Sequence, residues 1–341
     1  MSEACGASFP IQVEEVPLMR IALYADRPAS LGGIETHMAA LAKELLLLGH
    51  DVRLVFSRIV DDALFQDARE HGASVEAQDR DGVERLAARD KIDILHAHSH
   101  RASLLAAALS RRYGLPMVTT LHSPGQTPPP PQERSAVIAV SGEISESLSR
   151  RGVKHVRIEN GVDLRRFFPA GERRRRNRLQ VVYLGRVGPS KTQGLRALHE
   201  ALGSRRDVDV RYVADWSPVG RSHPTAAVES ELRAADVVLA TGRGVREAMA
   251  CGCAALVLGA FWDGLVTPES VHRLEWYNFS GRASRERPTA ERIAFAVRDL
   301  SDPARLAALK AFGCAHARRH WDARTMACRT FAVYRTLLEE N

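Results

Sequence analysis

Two separate series of short apolar runs, each run followed by a helix-length segment, constrain this chain most. Apolar strands that alternate with helices favour a parallel sheet covered on both faces. The alternation stops near residue 156 and restarts at residue 179, which predicts two α/β domains. The predicted strands are 19–25, 51–57, 92–98, 116–123 and 136–141 in the first series, and 179–187, 207–214, 236–241 and 254–259 in the second.

Helical spacing of apolar residues fills the intervals between these strands. We predict helices at 34–49, in pieces within 61–91, and at 101–114, 193–203, 226–235, 247–252, 288–311 and 323–339. The resulting organisation is an N-terminal extension (1–18), a first Rossmann-like domain (19–165), a second (166–322) and a closing helix (323–341). Ligands of open parallel sheets bind at the carboxyl ends of the strands, so a cleft is expected where the two domains face each other.

Composition narrows the function classes. The chain has 341 residues, of which 45% are hydrophobic and 26% charged, with no apolar run long enough to span a bilayer and no signal-peptide pattern at the start. We therefore expect a cytoplasmic protein. A net charge of +7 permits anionic partners. The arginine run at 172–178 carries no interleaved aromatics and is interpreted as a solvated linker, so nucleic acid is not expected as a partner.

A glycine pair follows the first strand in LGGIETH, residues 31–37. Gly32 and Gly33 would let the backbone approach a phosphate at a helix N-terminus. The segment lacks the G-x-G-x-x-G pattern, and no acidic residue ends the second strand, which argues against a dinucleotide site. A tight turn required only for packing is the alternative.

Two cations follow the first strand of the second domain in LGRVGPSKTQG, residues 184–194. Arg186 and Lys191 could together hold a diphosphate without a metal ion. The spacing is not that of a Walker A loop, which excludes an ATP-hydrolysing P-loop. The alternative is that both side chains are loop cations that contact only solvent and hold no diphosphate.

Histidines form the third group. His96, His98 and His100 stand close together, but no carboxylate or cysteine lies at ligand spacing, and we interpret them as part of a surface loop. His122 ends a predicted strand and could orient a substrate or carry a proton in the cleft, or it could be a structural histidine. The D-x-D of residues 207–209 lies within a predicted strand, so no metal site is expected there.

A single carboxylate opens the fourth segment, EAMACG, residues 247–252. Glu247 could complement the dipole at a helix N-terminus. It could equally accept two hydrogen bonds from neighbouring ribose hydroxyls. The preceding loop, TGRG, contributes Gly242, Arg243 and Gly244.

Taken in order, these motifs resemble the GT-B retaining glycosyltransferases of family 4, which use nucleotide sugars. The resemblance runs over nearly the whole chain from Met19. It is carried by GGIETH, TLHSP, ENGVDLRRFFP, LGRVGPSKTQGL and EAMACG.

The resemblance implies roles for these residues. Arg186 and Lys191 would neutralise the leaving diphosphate, and Glu247 would hold the ribose. Gly32 and Gly33 would lie on the phosphate and acceptor side, and His122 would contact the donor sugar. Transfer would retain anomeric configuration without metal or cofactor, with a UDP- or GDP-linked sugar as co-substrate. The last helix would pack back on the first domain.

The sequence departs from the family in one place. The family commonly has two glutamates separated by seven residues, of which the first contacts hydroxyls of the donor sugar. Glu247 matches the second, and Leu239 stands at the place of the first. Backbone N–H groups of Gly242 to Gly244, the Arg243 side chain or Asp263 could replace the first glutamate. A GT-B relative that binds nucleotide without efficient transfer, or that only hydrolyses the donor, is the alternative function. The acceptor is unknown; the basic surface suits a lipid-linked or cell-envelope precursor and peripheral contact with an anionic membrane.

Overall fold

Seven parallel strands form the sheet of the N-terminal domain. The structure is a computed structural model that describes residues 17–89, 92–171 and 177–339. The strands lie in the order β3-β2-β1-β4-β5-β6-β7. They are β1 (Arg20–Ala29), β2 (Asp51–Ile59), β3 (Ser74–Ala77), β4 (Ile94–Ala97), β5 (Met117–Leu121), β6 (Ser135–Ala139) and β7 (Val156–Arg157).

Strands such as β4 and β5 are buried along their full length, because helices cover both faces of this sheet. The order reverses between β1 and β4, which is the topological switch point at which open α/β sheets bind ligands. The helices are α1 (Gly33–Leu47), α2 (Gln66–Glu70), α3 (Arg80–Arg89), α4 (His100–Tyr113) and α5 (Gly142–Arg150), with a 3₁₀ turn at Ala63–Phe65.

The C-terminal sheet has five strands in the order β12-β11-β10-β8-β9. Four are parallel, and the edge strand β12 is antiparallel to β11. The strands are β8 (Leu179–Leu184), β9 (Val208–Val213), β10 (Val237–Ala240), β11 (Ala254–Leu258) and β12 (Trp262–Leu265). The helices are α6 (Thr192–Leu202), α7 (Val228–Ala234), α8 (Arg243–Ala250), α9 (Val271–Trp276), α10 (Ala290–Asp299), α11 (Pro303–His320) and α12 (Ala323–Glu339), with a 3₁₀ turn at Pro189–Lys191.

The chain crosses between the domains twice. The first crossing lies near Gly161 and the second near Asp322, and Val162 forms a parallel bridge with Asp322. A Cβ at Gly161 would lie 2.5 Å from the Ala323 Cα, so only glycine permits this close approach. After the second crossing, α12 packs on the N-terminal domain, where Phe331 and Tyr334 join its hydrophobic core.

The sequence prediction was wrong at several elements. The single helix predicted at 288–311 is two helices, because Asp302 caps the start of α11 and Pro303 occupies its first turn. Strands β3 and β12 and helices α5 and α9 were not predicted, since the strands are only four residues long and α5 is largely polar. Most of the arginine run (172–176) and most of the N-terminal extension (1–16) lie outside the described residues. None of the described helices is long and apolar enough to cross a membrane.

Candidate functional site

A cleft of about 930 Å³ separates the carboxyl ends of the two sheets. Every residue that the sequence assigned to the site lines it. These residues are Gly32, Gly33, His122, Arg186, Lys191, Gly242, Arg243, Gly244 and Glu247. They come from segments that follow β1, β5, β8 and β10, so the two topological switch points face each other across the cleft.

The glycine pair forms the N-terminal wall of the cleft, and its two members differ in their steric surroundings. Gly32 precedes α1, and a Cβ there would lie 2.5 Å from the Glu35 Oε2 atom, so a larger residue would displace the end of the Glu35 side chain. At Gly33 a Cβ would meet nothing within 4 Å. Gly33 is exposed. Any requirement for glycine at Gly33 therefore comes from a ligand.

Glu35 is a cleft residue that sequence reasoning missed. Its side chain is fully buried and forms an ion pair of 2.9 Å with Arg27. Burial raises the pKa of the Glu35 carboxyl, and the nearby Arg27 and Arg186 charges oppose that shift. A glutamate in the first turn of a helix usually only complements the dipole, so no local signal distinguished this one.

Arg186 and Lys191 lie where the sequence placed them, after β8. The Arg186 guanidinium reaches across the cleft and donates to Ser30 Oγ at 2.9 Å and to the Leu31 carbonyl. Lys191 Nζ donates to Thr241 Oγ1 at 3.1 Å. Burial lowers the pKa of Lys191, against an opposing effect of the Asp215 charge.

Arg186 and Lys191 differ from the other cations in the cleft in whether a carboxylate pairs with them. Three arginines on its walls have carboxylate partners within 4.0 Å: Arg27 with Glu35, Arg166 with Glu229, and Arg243 with Glu247. Within the described part of the chain, neither Arg186 nor Lys191 has such a partner. Two positive charges without carboxylate partners therefore line the cleft, as an anion site requires.

Glu247 does not begin a helix, as the sequence interpretation assumed. Helix α8 starts four residues earlier, at Arg243, after Gly242 takes a φ of 60°. Glu247 lies in the second turn and is therefore not a complement to the helix dipole. Its Oε1 atom lies 3.3 Å from the Arg243 guanidinium, which also donates to the Gly161 carbonyl at 2.7 Å. The carboxylate is thus held at the cleft wall by a buried cation.

Leu239, at the place where the resemblance expects the glutamate that contacts the sugar, does not line the cleft. It lies inside β10 with its side chain fully buried in the core of the C-terminal domain. Only Thr241 and Gly242 separate β10 from α8, and neither carries a carboxylate. Asp263, one proposed substitute, instead accepts hydrogen bonds from the backbone N–H groups of Ala283 and Ser284, and it is not among the residues that line the cleft.

The interpretation of the histidines as a surface loop is wrong for His96 and His98. Both are fully buried, whereas His100 is exposed. His96 lies in β4 and bonds to Tyr334 of α12 at 2.6 Å and to Thr120 at 2.7 Å. Partner residues distant in sequence bury this segment, and the segment alone did not indicate them.

His122 belongs to a cluster of imidazoles at the floor of the cleft. Its Nε2 atom lies 3.2 Å from His98 Nδ1, and the His37 ring packs against its edge at 4.9 Å between centroids. Burial lowers the pKa of His122 to about 3. The ring is therefore neutral at physiological pH and can donate or accept a hydrogen bond.

A polar cavity of about 300 Å³ lies at the domain crossing. Glu159 precedes the first crossing and hydrogen-bonds to Glu275 of α9. Burial and the neighbouring carboxylate raise the pKa of Glu159 to about 7. Glu275 keeps its charge, because His316, Glu159, Arg246 and Trp321 hold its pKa down against the opposing effect of burial. The pair therefore shares one proton at mildly acidic pH.

Metal-binding potential is confined to one place among the described residues. His37, His98 and His122 are the only group there whose ligand atoms could hold an ion. The D-x-D carboxylates Asp207 and Asp209 are exposed, as the sequence predicted, and Asp207 pairs with Arg205.

Comparisons with known proteins agree with this architecture. Residues 31–166 match the model of a family described as Glycosyltransferase Family 4. Among curated proteins, no sequence matches the chain. Solved glycosyltransferase structures superpose over both domains. The chain has the GT-B fold.

Three solved structures show how similar this chain is to proteins of known structure. Anabaena HepE in complex with UDP and glucose has a TM-score of 0.67 and 17% identity, covering 93% of this chain and 100% of that chain. Sucrose-phosphate synthase from Thermosynechococcus elongatus has a TM-score of 0.69 and 16% identity, covering 95% and 100%. A putative UDP-N-acetylglucosamine 2-epimerase from Listeria monocytogenes has a TM-score of 0.62 and 15% identity, covering 96% and 98%. At such identities the likeness shows the fold alone.

Proposed function

We propose that this protein is a glycosyltransferase that moves a sugar from a nucleoside-diphosphate sugar to an acceptor hydroxyl, with retention of configuration and without a metal ion. The observation that carries the proposal is the pair of cations without carboxylate partners, Arg186 and Lys191, in a cleft whose other arginines are paired. A diphosphate supplies the negative charge that this pair lacks. The UDP and UDP-glucose complexes of Anabaena HepE support a nucleotide-sugar donor.

During transfer the bond between the sugar and the diphosphate breaks, and negative charge builds up on the departing diphosphate. Arg186 offers a planar guanidinium and Lys191 a compact ammonium, and both can donate to phosphate oxygens. Charges fixed before the reaction stabilise a developing anion without reorganisation. The two side chains thus take the role that Mg²⁺ plays in other transferases.

Glu247 lies on the nucleotide side of the cleft. Its carboxylate can accept hydrogen bonds from the two ribose hydroxyls, and the ion pair with Arg243 holds it in place. We favour a UDP- or GDP-linked donor, and the contact of Glu247 with the ribose does not choose between the two bases.

His122 and the glycine pair lie on the opposite wall, where the sugar and acceptor would meet. The neutral His122 imidazole can hydrogen-bond a sugar hydroxyl. The two residues between β10 and α8, Thr241 and Gly242, carry no carboxylate that could hold the donor sugar. Other groups would hold the sugar, and the backbone N–H groups of Gly242 to Gly244 are candidates. The acceptor that we favour is a lipid-linked or cell-envelope precursor reached at an anionic membrane surface.

A donor screen tests the proposal. UDP- and GDP-linked sugars are incubated with the protein and a panel of acceptors, and released nucleoside diphosphate and glycosylated product are detected by mass spectrometry. Proton NMR of the product reports the anomeric configuration. Nucleotide release without any product would instead support a donor-hydrolysing relative, and binding without release would support a non-catalytic one.

Metal independence is tested separately. Treatment with EDTA should leave the transfer rate unchanged, because the cleft cations replace the metal. Strict dependence of turnover on added Mg²⁺ or Mn²⁺ would refute this part of the proposal.

A further inference from the structure

Three histidines from three separate elements converge beneath the cleft. His37 lies in α1, His98 follows β4 and His122 follows β5. One nitrogen of each ring lies within 4.8 Å of the corresponding nitrogens of the other two. His37 and His98 are buried, whereas His122 is partly exposed and lines the cleft. The cluster is thus enclosed on the protein side and open toward the cleft.

The hydrogen bonds of these rings leave nitrogen atoms available. His37 Nδ1 lies 2.9 Å from Asn160 Oδ1, which fixes the tautomer with hydrogen on Nδ1 and leaves Nε2 as an acceptor. His98 Nδ1 and His122 Nε2 share one hydrogen bond of 3.2 Å. His98 Nε2 is buried and, within the described residues, has no hydrogen-bond partner. A metal held by His98 Nδ1 would keep the hydrogen of this ring on Nε2, so the convergence of the three rings, rather than this unpaired atom, supports a site.

We propose that His37, His98 and His122 form a binding site for a divalent transition-metal ion, with Zn²⁺ the preferred occupant, and that metal binding there inhibits the enzyme. Zinc sites with three imidazole ligands and one open position are common. Zn–N bonds of about 2.0–2.1 Å place tetrahedral ligand nitrogens roughly 3.3 Å apart. The His98–His122 pair already has this spacing, and rotation of the His37 ring would bring in the third nitrogen.

Ligand chemistry selects the ion. Imidazole favours Zn²⁺, Cu²⁺ and Ni²⁺, whereas Mg²⁺ and Ca²⁺ favour oxygen ligands. Asn160 acts as the outer partner that orients a ligating histidine, as carboxylates and carbonyls do in other zinc sites. Mg²⁺ should therefore neither bind here nor inhibit.

Inhibition follows from the shared use of His122, and this part of the inference rests on the proposed function. His122 Nε2 already faces His98. Zinc bound there would fix the His122 ring in one orientation and add the charge of the metal at the cleft, so the ring could no longer adjust to the donor sugar. The metal binding itself does not depend on the reaction, so the two can be tested apart.

The first experiment measures metal binding on the metal-free protein. Zn²⁺ is titrated against a chromophoric chelator, and Co²⁺ is used as a spectroscopic probe of tetrahedral coordination. Wild type should bind one equivalent, and His98→Asn should weaken binding by at least the roughly 10–100-fold that loss of an outer partner causes. His100→Asn, which changes an exposed histidine two residues away, should bind as wild type does. Equal affinity in His98→Asn and wild type would overturn the proposal.

A second measurement protects the test against a variant that fails to fold. X-ray absorption of zinc-loaded wild type should show a first shell dominated by imidazole nitrogen. A shell of oxygen or sulfur ligands would place the metal elsewhere and overturn the site.

The third experiment measures inhibition. Zn²⁺ should inhibit donor turnover by wild type with the affinity found in the titration, and Mg²⁺ at the same concentration should have no effect. Turnover that persists in the fully zinc-loaded enzyme would overturn the inhibitory role. If no donor is turned over at all, the proposed function fails, while the titration and absorption data still decide the metal site.

Discussion

Replacement of Lys191 by methionine should separate the stability of the protein from its affinity for a nucleoside diphosphate. Methionine keeps most of the side-chain volume and removes the charge. Burial lowers the pKa of Lys191, and among the described residues no carboxylate lies within 4.0 Å of its Nζ atom, so the ligand-free protein gains little from this charge. We expect the ligand-free variant to be at least as stable as wild type.

The loss should instead appear on binding. A hydrogen bond to a charged group contributes about 1.5–3 kcal/mol, so removal of the ammonium should weaken UDP or GDP binding by roughly 100-fold. At a ligand concentration of about 100 Kd, wild type gains about 2.7 kcal/mol of stability. At the same concentration the variant would gain only about 0.4 kcal/mol. An unfolding entropy of about 2.1 cal/mol/K per residue gives about 1.4 °C per kcal/mol for a chain of this length. The ligand should therefore shift Tm by about 4 °C in wild type and by less than about 1 °C in the variant.

Differential scanning fluorimetry with and without nucleotide makes this measurement. Lys154→Met, which removes an exposed lysine outside the cleft, is the matched control and should keep the wild-type shift. A full nucleotide shift in Lys191→Met would refute the assignment of this lysine to the diphosphate. A ligand-free Tm several degrees below wild type would show that the lysine is structural.

Three other predictions concern Glu247, Gly33 and the Glu159–Glu275 pair. Glu247→Ala should weaken binding of the free nucleotide and also lower stability, because it leaves the Arg243 guanidinium buried without its carboxylate; isothermal titration and thermal unfolding measure the two effects. Gly33→Ala should leave stability within about 0.5 kcal/mol, since a Cβ meets nothing there, yet it should reduce turnover if ligand backbone approach requires the glycine. The Glu159–Glu275 pair binds a proton in the folded state up to about pH 7, whereas an unfolded glutamate has an ordinary pKa of 4.5. Unfolding therefore releases a proton between these values, and stability should fall as pH rises from 4.5 to 7, by at most about 1.4 kcal/mol per pH unit.

The same measurements can contradict each expectation. Unchanged nucleotide affinity in Glu247→Ala would leave that carboxylate a purely structural role. Wild-type turnover by Gly33→Ala would show that the open space there is unused. For the acid pair, Glu159→Gln should flatten the pH dependence of stability, and a slope equal to that of wild type would assign the proton to another group.

The order of strands and motifs along the chain determined much of the site. The carboxyl ends of parallel strands share one edge of a sheet, so residues directly after strands must converge. This reasoning placed the glycine pair, His122, Arg186 and the TGRG segment around one cleft. It needed only local patterns of apolar residues and glycine.

Local patterns did not predict how the acidic and basic residues pair. Arg243 bonds to Gly161, 82 residues away, and the position of Glu247 in α8 depends on where that helix begins. The burial of Leu239, by contrast, agrees with the strand predicted at 236–241.

The histidine cluster shows the same difference between what the sequence determined and what tertiary packing decided. Each histidine was visible in the sequence, and one segment even contains three of them. Their meeting beneath the cleft depends on how α1, β4 and β5 come together in the N-terminal domain. Sequence thus determined the fold and the cleft, since both arise from local periodicity and short turns. Only tertiary packing decided which charges are paired and which imidazoles lie together, because those partners are brought together by contacts between distant elements.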